Sequence, residues 1–127
     1  MLGKQSLQFT CKPYIISSAS IVGSKEAKGP MGKLFDKAGY DDMFGAQNWE
    51  DAESSLQKEA LEIALSKAKL VKNDLQMVFA GDLLGQSIAS SFGLAGYQVP
   101  HVGLYGACST CGLSLTMGGM AVAGAFA

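Results

Sequence analysis

The 127-residue sequence contains no arginine: all 10 of its basic residues are lysines, and 11 acidic residues bring the net charge to −1. A nucleic-acid interface usually needs a basic face, which this charge balance does not suggest. The missing guanidinium groups also remove the usual bidentate clamp for a phosphate or a carboxylate. Nucleic acid is therefore not an expected partner.

Acidic and basic side chains are absent after Asp82, so residues 83–127 carry none. A globular surface normally carries charge, so we expect this half to be buried in a larger fold, inserted in a membrane, or cut from a longer chain. Residues 112–127 are fewer than the roughly 20 apolar residues that span a bilayer, and the N-terminus has no apolar secretory segment. The sequence therefore predicts a soluble, cytosolic-type protein without a transmembrane segment.

Cysteine and histidine are also scarce, with three cysteines and one histidine. An odd number of cysteines argues against a disulfide framework and favours a reducing compartment. Cys108 and Cys111 form a C-x-x-C motif, but no thioredoxin-type pattern follows it, and zinc would need about four ligands. Cys11 and Cys111 are predicted to be small buried residues. We therefore predict no metal site and no cofactor.

Alternating strand and helix patterns predict an α/β fold with helices against a mixed or parallel sheet. The most regular pattern is a helix from Trp49 to about Leu70, with Asn48 as its N-cap, acidic residues in its first turn and lysines in its last. The other predictions, in chain order, are a strand at 14–22, a loop at 23–32, irregular structure at 34–45, a strand at 76–81, a helix at 86–94, a strand at 101–106 and an apolar helix at 109–125.

The stretch from His101 to Leu115 predicts a buried strand, a tight elbow at 106–108 and the start of a helix. Unpaired N–H groups and the macrodipole at a helix start favour an anion, either a thiolate or a bound carboxylate. Cys108 is therefore a candidate nucleophile. His101 is expected to be a capping or surface residue, because the strand between them would hold it roughly 20 Å from Cys108.

Asp82 follows the predicted strand at 76–81, as Cys108 follows the strand at 101–106. Ligands of open α/β sheets bind beyond the carboxyl ends of the strands, where both residues fall. Two explanations of Asp82 stay open: it caps the next short helix, or it places a polar group in a pocket beside Cys108.

Several segments together resemble the thiolase-like proteins and, among them, the stage V sporulation protein AD family. The first set runs from Met77-Val-Phe-Ala-Gly-Asp-Leu-Leu84 through Val99-Pro100 to Gly106-Ala-Cys-Ser-Thr-Cys-Gly112. The sporulation family is also indicated by Ile21–Gly32, Tyr40-Asp-Asp-Met43 and Asn48-Trp-Glu-Asp-Ala-Glu53. The resemblance covers nearly the whole chain.

This resemblance implies a thiolase-like fold, in which the cysteine starts a helix buried at the centre, here beginning at Ser109. Members of the family are longer, so it implies that residues 1–127 are a partial N-terminal domain truncated within that helix. We expect such a piece not to fold cleanly alone, because residues 112–127 would expose an apolar face.

The resemblance also implies non-catalytic binding of dipicolinic acid (pyridine-2,6-dicarboxylate) for its uptake into the developing spore. The ligand would contact Asp82, Cys108 and Ser109, and its carboxylate would be received by free N–H groups of Ser109 and Thr110. Asp82 would then need a proton, a cation such as calcium, or the ring nitrogen as its partner. The alternative is an acyltransferase of the thiolase or ketoacyl-synthase type with Cys108 as nucleophile.

Expected partners follow from the same resemblance. They are the membrane proteins of the same spore transport system and, through the thiolase-like fold, a second copy in a homodimer. The expected location is the cytoplasmic side of the sporulating cell, peripheral to the inner spore membrane.

Overall fold

The computed structural model describes residues 3–127, and this part of the chain is a mixed α/β structure. Its elements are β1 (Ile21–Val22), α1 (Ser24–Ala27), β2 (Lys37–Ala38), α2 (Trp49–Ala68), β3 (Val78–Ala80), α3 (Ile88–Leu94), β4 (His101–Gly103) and α4 (Thr110–Ala123). Short 3₁₀ turns lie at Gly32–Leu34, Lys72–Asp74, Gly85–Ser87, Ala95–Tyr97 and Ala107–Ser109. The α/β class predicted from the sequence is confirmed at this level.

The strands form two separate two-stranded sheets instead of the single sheet that the sequence predicts. β1 pairs in parallel with β2, and β3 pairs in parallel with β4. A helix lies between the two strands of each pair, α1 in the first and α3 in the second, as a parallel crossover requires. The segments predicted as a loop at 23–32 and as irregular at 34–45 therefore contain α1 and β2.

The strand predicted at 14–22 is largely wrong, because only Ile21–Val22 forms a ladder. β-branched residues favour a strand, but a strand also needs a neighbouring backbone to receive its hydrogen bonds. Ser17 makes a different contact here: its hydroxyl donates to the carbonyl oxygen of Ala64 on α2, at 2.7 Å. Three apolar side chains before it are exposed: Tyr14, Ile15 and Ile16.

Helix α2 confirms the strongest sequence prediction, although it ends two residues earlier than expected. The side-chain oxygen of Asn48 accepts a hydrogen bond from the backbone N–H of Asp51 at 2.8 Å, which satisfies a donor that the helix itself cannot. At the other end Lys69 turns into the left-handed region, with φ +58°. The cap predicted from the sequence is therefore formed.

Helix α2 packs on α3, and this contact contains the main apolar cluster. The helices approach so closely that a Cβ added to Gly93 would lie 2.6 Å from the carbonyl oxygen of Ser54. The buried cluster consists of Leu65, Leu94 and Tyr97, with Leu61, Leu70, Leu75, Val78, Ala80 and Val99 packed against it. Burial raises the pKa of the Tyr97 hydroxyl, and the nearby Glu62 charge acts in the same direction.

Two ion pairs join the β2 segment to the outer side of α2. The ammonium group of Lys67 donates to Asp36 at 2.8 Å, and Lys37 pairs with Glu59. The hydrogen bond from Lys67, together with one from the backbone of Ser20, holds the pKa of Asp36 below its usual value. All four side chains are partly exposed, so these pairs orient the segment more than they stabilise it.

Helix α4 begins at Thr110, one residue later than predicted, because Ala107–Ser109 forms a 3₁₀ turn. Among the described residues α4 is largely exposed: Ala121 is its one buried residue, and Leu115 is 59 % exposed. This agrees with the apolar face expected for residues 112–127, whereas the burial of the helix in a longer fold stays a prediction. The helix packs against β3, and a Cβ added to its Gly119 would lie 3.2 Å from the ring of Phe9 in the N-terminal segment. Within residues 3–127, none of the helices is long and apolar enough to cross a membrane.

Candidate functional site

The parallel pair of β3 and β4 brings the two predicted site segments to one edge. Val78 lies opposite His101 and Ala80 lies opposite Gly103, so the carboxyl ends of both strands are level. The pairing continues for one more step, since the N–H of Leu104 donates to the carbonyl oxygen of Ala80 at 2.8 Å. The chain after β3 enters Gly81 and Asp82, and the chain after β4 enters the elbow.

The two segments touch at Gly81. A Cβ added there would lie 1.9 Å from the carbonyl oxygen of Leu104 and 2.8 Å from the side-chain methyl carbon of Thr110. No side chain fits at such separations, so glycine is required for the elbow to rest on the end of β3. This close approach places Asp82 beside the start of α4.

Asp82 is 5 % exposed, and both of its carboxylate oxygens accept hydrogen bonds. One oxygen accepts from the N–H of Leu84 at 3.0 Å. The other accepts from the N–H of Ser90 at 2.8 Å and from the Ser90 hydroxyl at 2.6 Å. Ser90 is fully buried in α3, so these bonds hold that helix against the end of β3. Of the two explanations of Asp82 that the sequence left open, these contacts support the first, in which Asp82 caps the short helix α3.

The elbow is held by hydroxyl groups. Ser109 donates to the carbonyl oxygen of Gly106 through its N–H at 2.9 Å and through its hydroxyl at 2.6 Å. The hydroxyl of Thr110 donates to the carbonyl oxygen of Ala107 at 2.8 Å and accepts from the N–H of Gly106 at 3.1 Å. Ala107 has φ +48°, an uncommon conformation for a residue with a side chain. The turn is therefore strongly constrained.

The N–H groups predicted to receive a carboxylate are not free in this conformation. Ser109 donates to Gly106, and the N–H of Thr110 donates to the carbonyl oxygen of Ala107. The accepting carbonyls of the turn begin at Gly106, which is too close in sequence to Ala107 and Cys108 to accept from their N–H groups, so the turn offers them no acceptor. The N–H groups that the turn leaves without an acceptor therefore lie two residues earlier than the pair predicted from the sequence.

A small pocket of about 240 Å³ lies beside the elbow. Asp82, Ala107 and Thr110 line it. Cys108 and Ser109, which lie between Ala107 and Thr110 in the sequence, are exposed at the surface and do not line it. Its full lining is Glu53, Gly81, Asp82, Leu83, Leu84, Ala107 and Thr110, which includes two carboxyl groups and no lysine. The structure thus brings the three predicted residues to one place, with Asp82 in the pocket wall and the other two outside it.

His101 is distant from this edge, as expected from the sequence. It begins β4, opposite Val78, whereas Cys108 lies beyond the other end of the strand. Its side chain is half-buried, and its Nε2 atom is buried without a hydrogen-bond partner among residues 3–127, so it is not the capping or surface residue predicted. It therefore cannot serve Cys108 as a base in this arrangement.

All three cysteines are exposed. The predicted burial of Cys11 and Cys111 is therefore wrong, because Cys111 lies on the open side of α4 and Cys11 lies in the exposed N-terminal segment. Across residues 3–127 no cluster of three or more His, Cys, Asp or Glu side chains could hold a metal ion.

A larger groove of about 760 Å³ lies elsewhere, between the N-terminal segment and the exposed side of α4. We call it the apolar groove. It is lined by Leu7, Gln8, Phe9, Lys12, Pro13, Tyr14, Ile15, Phe79, Ser114, Leu115, Gly118, Gly119 and Val122. It contains none of the predicted site residues and only one charged group, so its size alone does not make it the site.

Patterns along the chain gave no part in the site to Glu53, Gly81 or Ser90, and they gave Thr110 a part only through its backbone N–H. Glycine immediately before Asp82 was a signal that the backbone comes close to another segment there. A buried serine in a short apolar helix was a weaker signal that a polar partner faces it. Glu53 gave no signal in the sequence, because its place in the pocket depends on how α2 packs on α3.

Comparisons with known proteins identify the family of the chain. Residues 3–127 match the family model described as Stage V sporulation protein AD. A curated relative in Bacillus subtilis (strain 168), named Stage V sporulation protein AD, is 37 % identical over 128 aligned positions, which include the whole of this chain. The chain spans 38 % of the length of that relative. The resemblance to the stage V sporulation protein AD family is thereby confirmed, and the chain belongs to that family.

Proposed function

We propose that this protein acts in sporulation by binding dipicolinic acid for uptake into the developing spore, without catalysing a reaction. The observation that carries the proposal is family membership over residues 3–127, together with the pocket that Asp82 lines beside the elbow containing Cys108 and Ser109. The proposal includes a thiolase-like fold for the complete protein. It is supported by the β3–α3–β4 unit, which leads through an elbow cysteine into α4.

The pocket suits one small planar acid. At about 240 Å³ it lies below the roughly 300–1,000 Å³ usual for drug-sized ligands. Leu83 and Leu84 offer an apolar surface to an aromatic ring, and the N–H groups of Ala107 and Cys108 can donate to a carboxylate at the helix start. In this arrangement Cys108 and Ser109 form the rim that the ligand passes.

Charge decides the form in which the ligand binds. Dipicolinate carries two carboxylates, and Glu53 and Asp82 also line the pocket, with no lysine to balance them. Bringing like charges together disfavours binding unless a cation or a proton intervenes. Both Asp82 oxygens already accept hydrogen bonds inside the protein, so Asp82 is not free to approach the ring nitrogen. We therefore assign the calcium chelate as the bound species, because its cation offsets the ligand charge.

The non-catalytic part of the proposal rests on the position of His101. An acyl-accepting cysteine needs a base within hydrogen-bond reach, and the single histidine of this sequence lies at the opposite end of β4 from Cys108. The proposal further includes membrane proteins of the spore transport system as partners, a homodimer, and a position at the inner spore membrane.

Calorimetric titration of the complete protein with dipicolinate, with and without calcium, tests the proposal. We expect measurable heat of binding with dipicolinate and a higher affinity when calcium is added. Benzene-1,3-dicarboxylate, which lacks the chelating ring nitrogen, should give little heat. Replacing Cys108 by Ala should weaken binding about tenfold, equal to about 1.4 kcal/mol. Cys11→Ala is the matched control, because Cys11 is also exposed but lies in the N-terminal segment, whereas Cys108 lies between the pocket-lining residues Ala107 and Thr110.

Two results would contradict the proposal. Equal binding by the unaltered protein and a Cys108→Ala, Asp82→Ala double variant would place the ligand elsewhere. A stable acyl adduct on Cys108 after treatment with acyl-CoA, detected by mass spectrometry, would favour the acyltransferase alternative.

A further inference from the structure

The C-x-x-C motif places two exposed thiols one helical turn apart at the elbow. Cys108 is the second residue of the 3₁₀ turn, and Cys111 is the second residue of α4. Residues three apart lie on the same face of a helix, and helix geometry separates their Cα atoms by about 5 Å. A disulfide needs a Cα separation of about 4.4–6.8 Å, so the backbone already meets this requirement.

The surroundings leave this pair accessible and hold its spacing. Both cysteines are exposed, and a Cβ added to Gly112, the next residue, would meet nothing within 4 Å. The two residues between the thiols are fixed by their own hydrogen bonds, Ser109 to Gly106 and Thr110 to Ala107. A small oxidant can therefore reach the sulfurs, and the turn that spaces them does not need to be rebuilt.

We propose that Cys108 and Cys111 form a reversible intramolecular disulfide, with a low-molecular-weight disulfide as the oxidant. One cysteine thiolate attacks a sulfur of the oxidant, forms a mixed disulfide and releases one small thiol. The second thiolate then attacks the protein sulfur of the mixed disulfide and releases the other small thiol. The protein pair loses two electrons and two protons, and the oxidant gains both. Excess small thiol reverses the reaction by the same two steps.

The disulfide would change the site in two ways, an effect that rests on the proposed function. It ties the Cys108 sulfur to Cys111, so the thiol no longer lines the approach to the pocket. It also fixes the first turn of α4 through a second link, beside the N–H groups of Ala107 and Cys108. Because disulfides in reducing compartments are usually transient and redox-sensing, the bond is a means of switching ligand binding and not a structural brace.

The modification is tested by incubating the complete protein with oxidised glutathione and measuring its mass. We expect a product lighter by two hydrogen atoms with no glutathione retained, and a cross-linked peptide containing Cys108 and Cys111. Cys111→Ser should instead retain one glutathione on Cys108, because no second thiol can release it. Cys11→Ser is the control and should behave as the unaltered protein does. Glutathione retained on Cys108 of the unaltered protein, or a cross-link to Cys11, would overturn the proposal.

Binding is measured in a separate experiment, so that the two proposals can fail independently. Oxidised protein should bind dipicolinate and calcium at least tenfold more weakly than reduced protein, and excess dithiothreitol should restore the affinity. Before any oxidant is added, Cys111→Ser should bind as the reduced unaltered protein does, because Cys111 does not line the pocket. A disulfide that leaves binding unchanged would overturn the switching role. A disulfide in a protein that binds no dipicolinate when reduced would overturn the proposed function and leave the modification site standing.

Discussion

A side chain at residue 81 would begin where the carbonyl oxygen of Leu104 already lies, at a separation of 1.9 Å from the added Cβ. Gly81→Ala should therefore push the elbow away from β3 and lower the free energy of unfolding by about 1–3 kcal/mol or more. The shift should also weaken dipicolinate binding, because Ala107 and Thr110 would leave the pocket wall. Chemical denaturation and calorimetric titration measure the two effects.

The matched control for Gly81→Ala is Gly112→Ala. An added Cβ at residue 112 meets nothing within 4 Å, and alanine favours a helix by up to about 1 kcal/mol over glycine. This variant should be as stable as the unaltered protein or slightly more so. If the two variants lose equal stability, the close approach at Gly81 is not what the elbow depends on.

At the same scale, the sequence located Asp82 and Cys108 well but not their contacts. Both residues follow strands, and parallel strands bring their carboxyl ends together, so their proximity could be predicted. The Ser90 bonds to Asp82 and the place of Glu53 in the pocket depend on how α3 packs between α2 and β4. No pattern along the chain contains that information.

Among the elements, α2 is the one for which the apolar spacing, the N-cap residue and the charges at both ends all predict a helix. Asn48→Ala should remove the hydrogen bond from the N–H of Asp51 and cost about 1 kcal/mol of stability, within a range of roughly 0.5–2 kcal/mol. The loss should appear as a lower denaturant midpoint with an unchanged slope, since the exposed surface is the same. Asn48→Ser is the control, because the serine hydroxyl can accept the same bond without bringing a second negative charge to the Asp51 carboxylate, and it should keep most of the stability. Equal losses in both variants would mean that the cap contributes little.

The elements differ in how much their structure depends on a neighbouring element. A helix such as α2 satisfies its own backbone, so its sequence contains most of what forms it. The segment at 14–20 has the composition of a strand but no paired strand among the described residues, and a strand forms only where a neighbouring backbone receives its hydrogen bonds. Helix α4 forms as predicted but leaves much of its apolar surface exposed, because β3 is the main element packed on it.

For the molecule as a whole, the main exposed apolar region consists of the apolar groove and the exposed side of α4 next to it. Tyr14 and Ile15 are 83 % and 78 % exposed, and Val122 across the groove is 52 % exposed. Soluble proteins rarely leave such a patch open to water, and patches of this kind bind hydrophobic dyes and promote association.

The 127-residue chain, studied by itself, should therefore bind the dye ANS and give broad NMR resonances, as loosely packed or self-associating chains do. A Leu115→Lys, Val122→Lys double variant should bind less dye and remain monomeric at higher concentration, because both residues line the groove. Leu34→Lys is the control, since Leu34 is also exposed, at 74 %, but lies outside the groove and outside the proposed ligand pocket. Sharp, well-dispersed resonances from the unaltered 127 residues, without dye binding, would show that this surface is stable in water. The exposed apolar groove would then not prevent the 127 residues from folding by themselves.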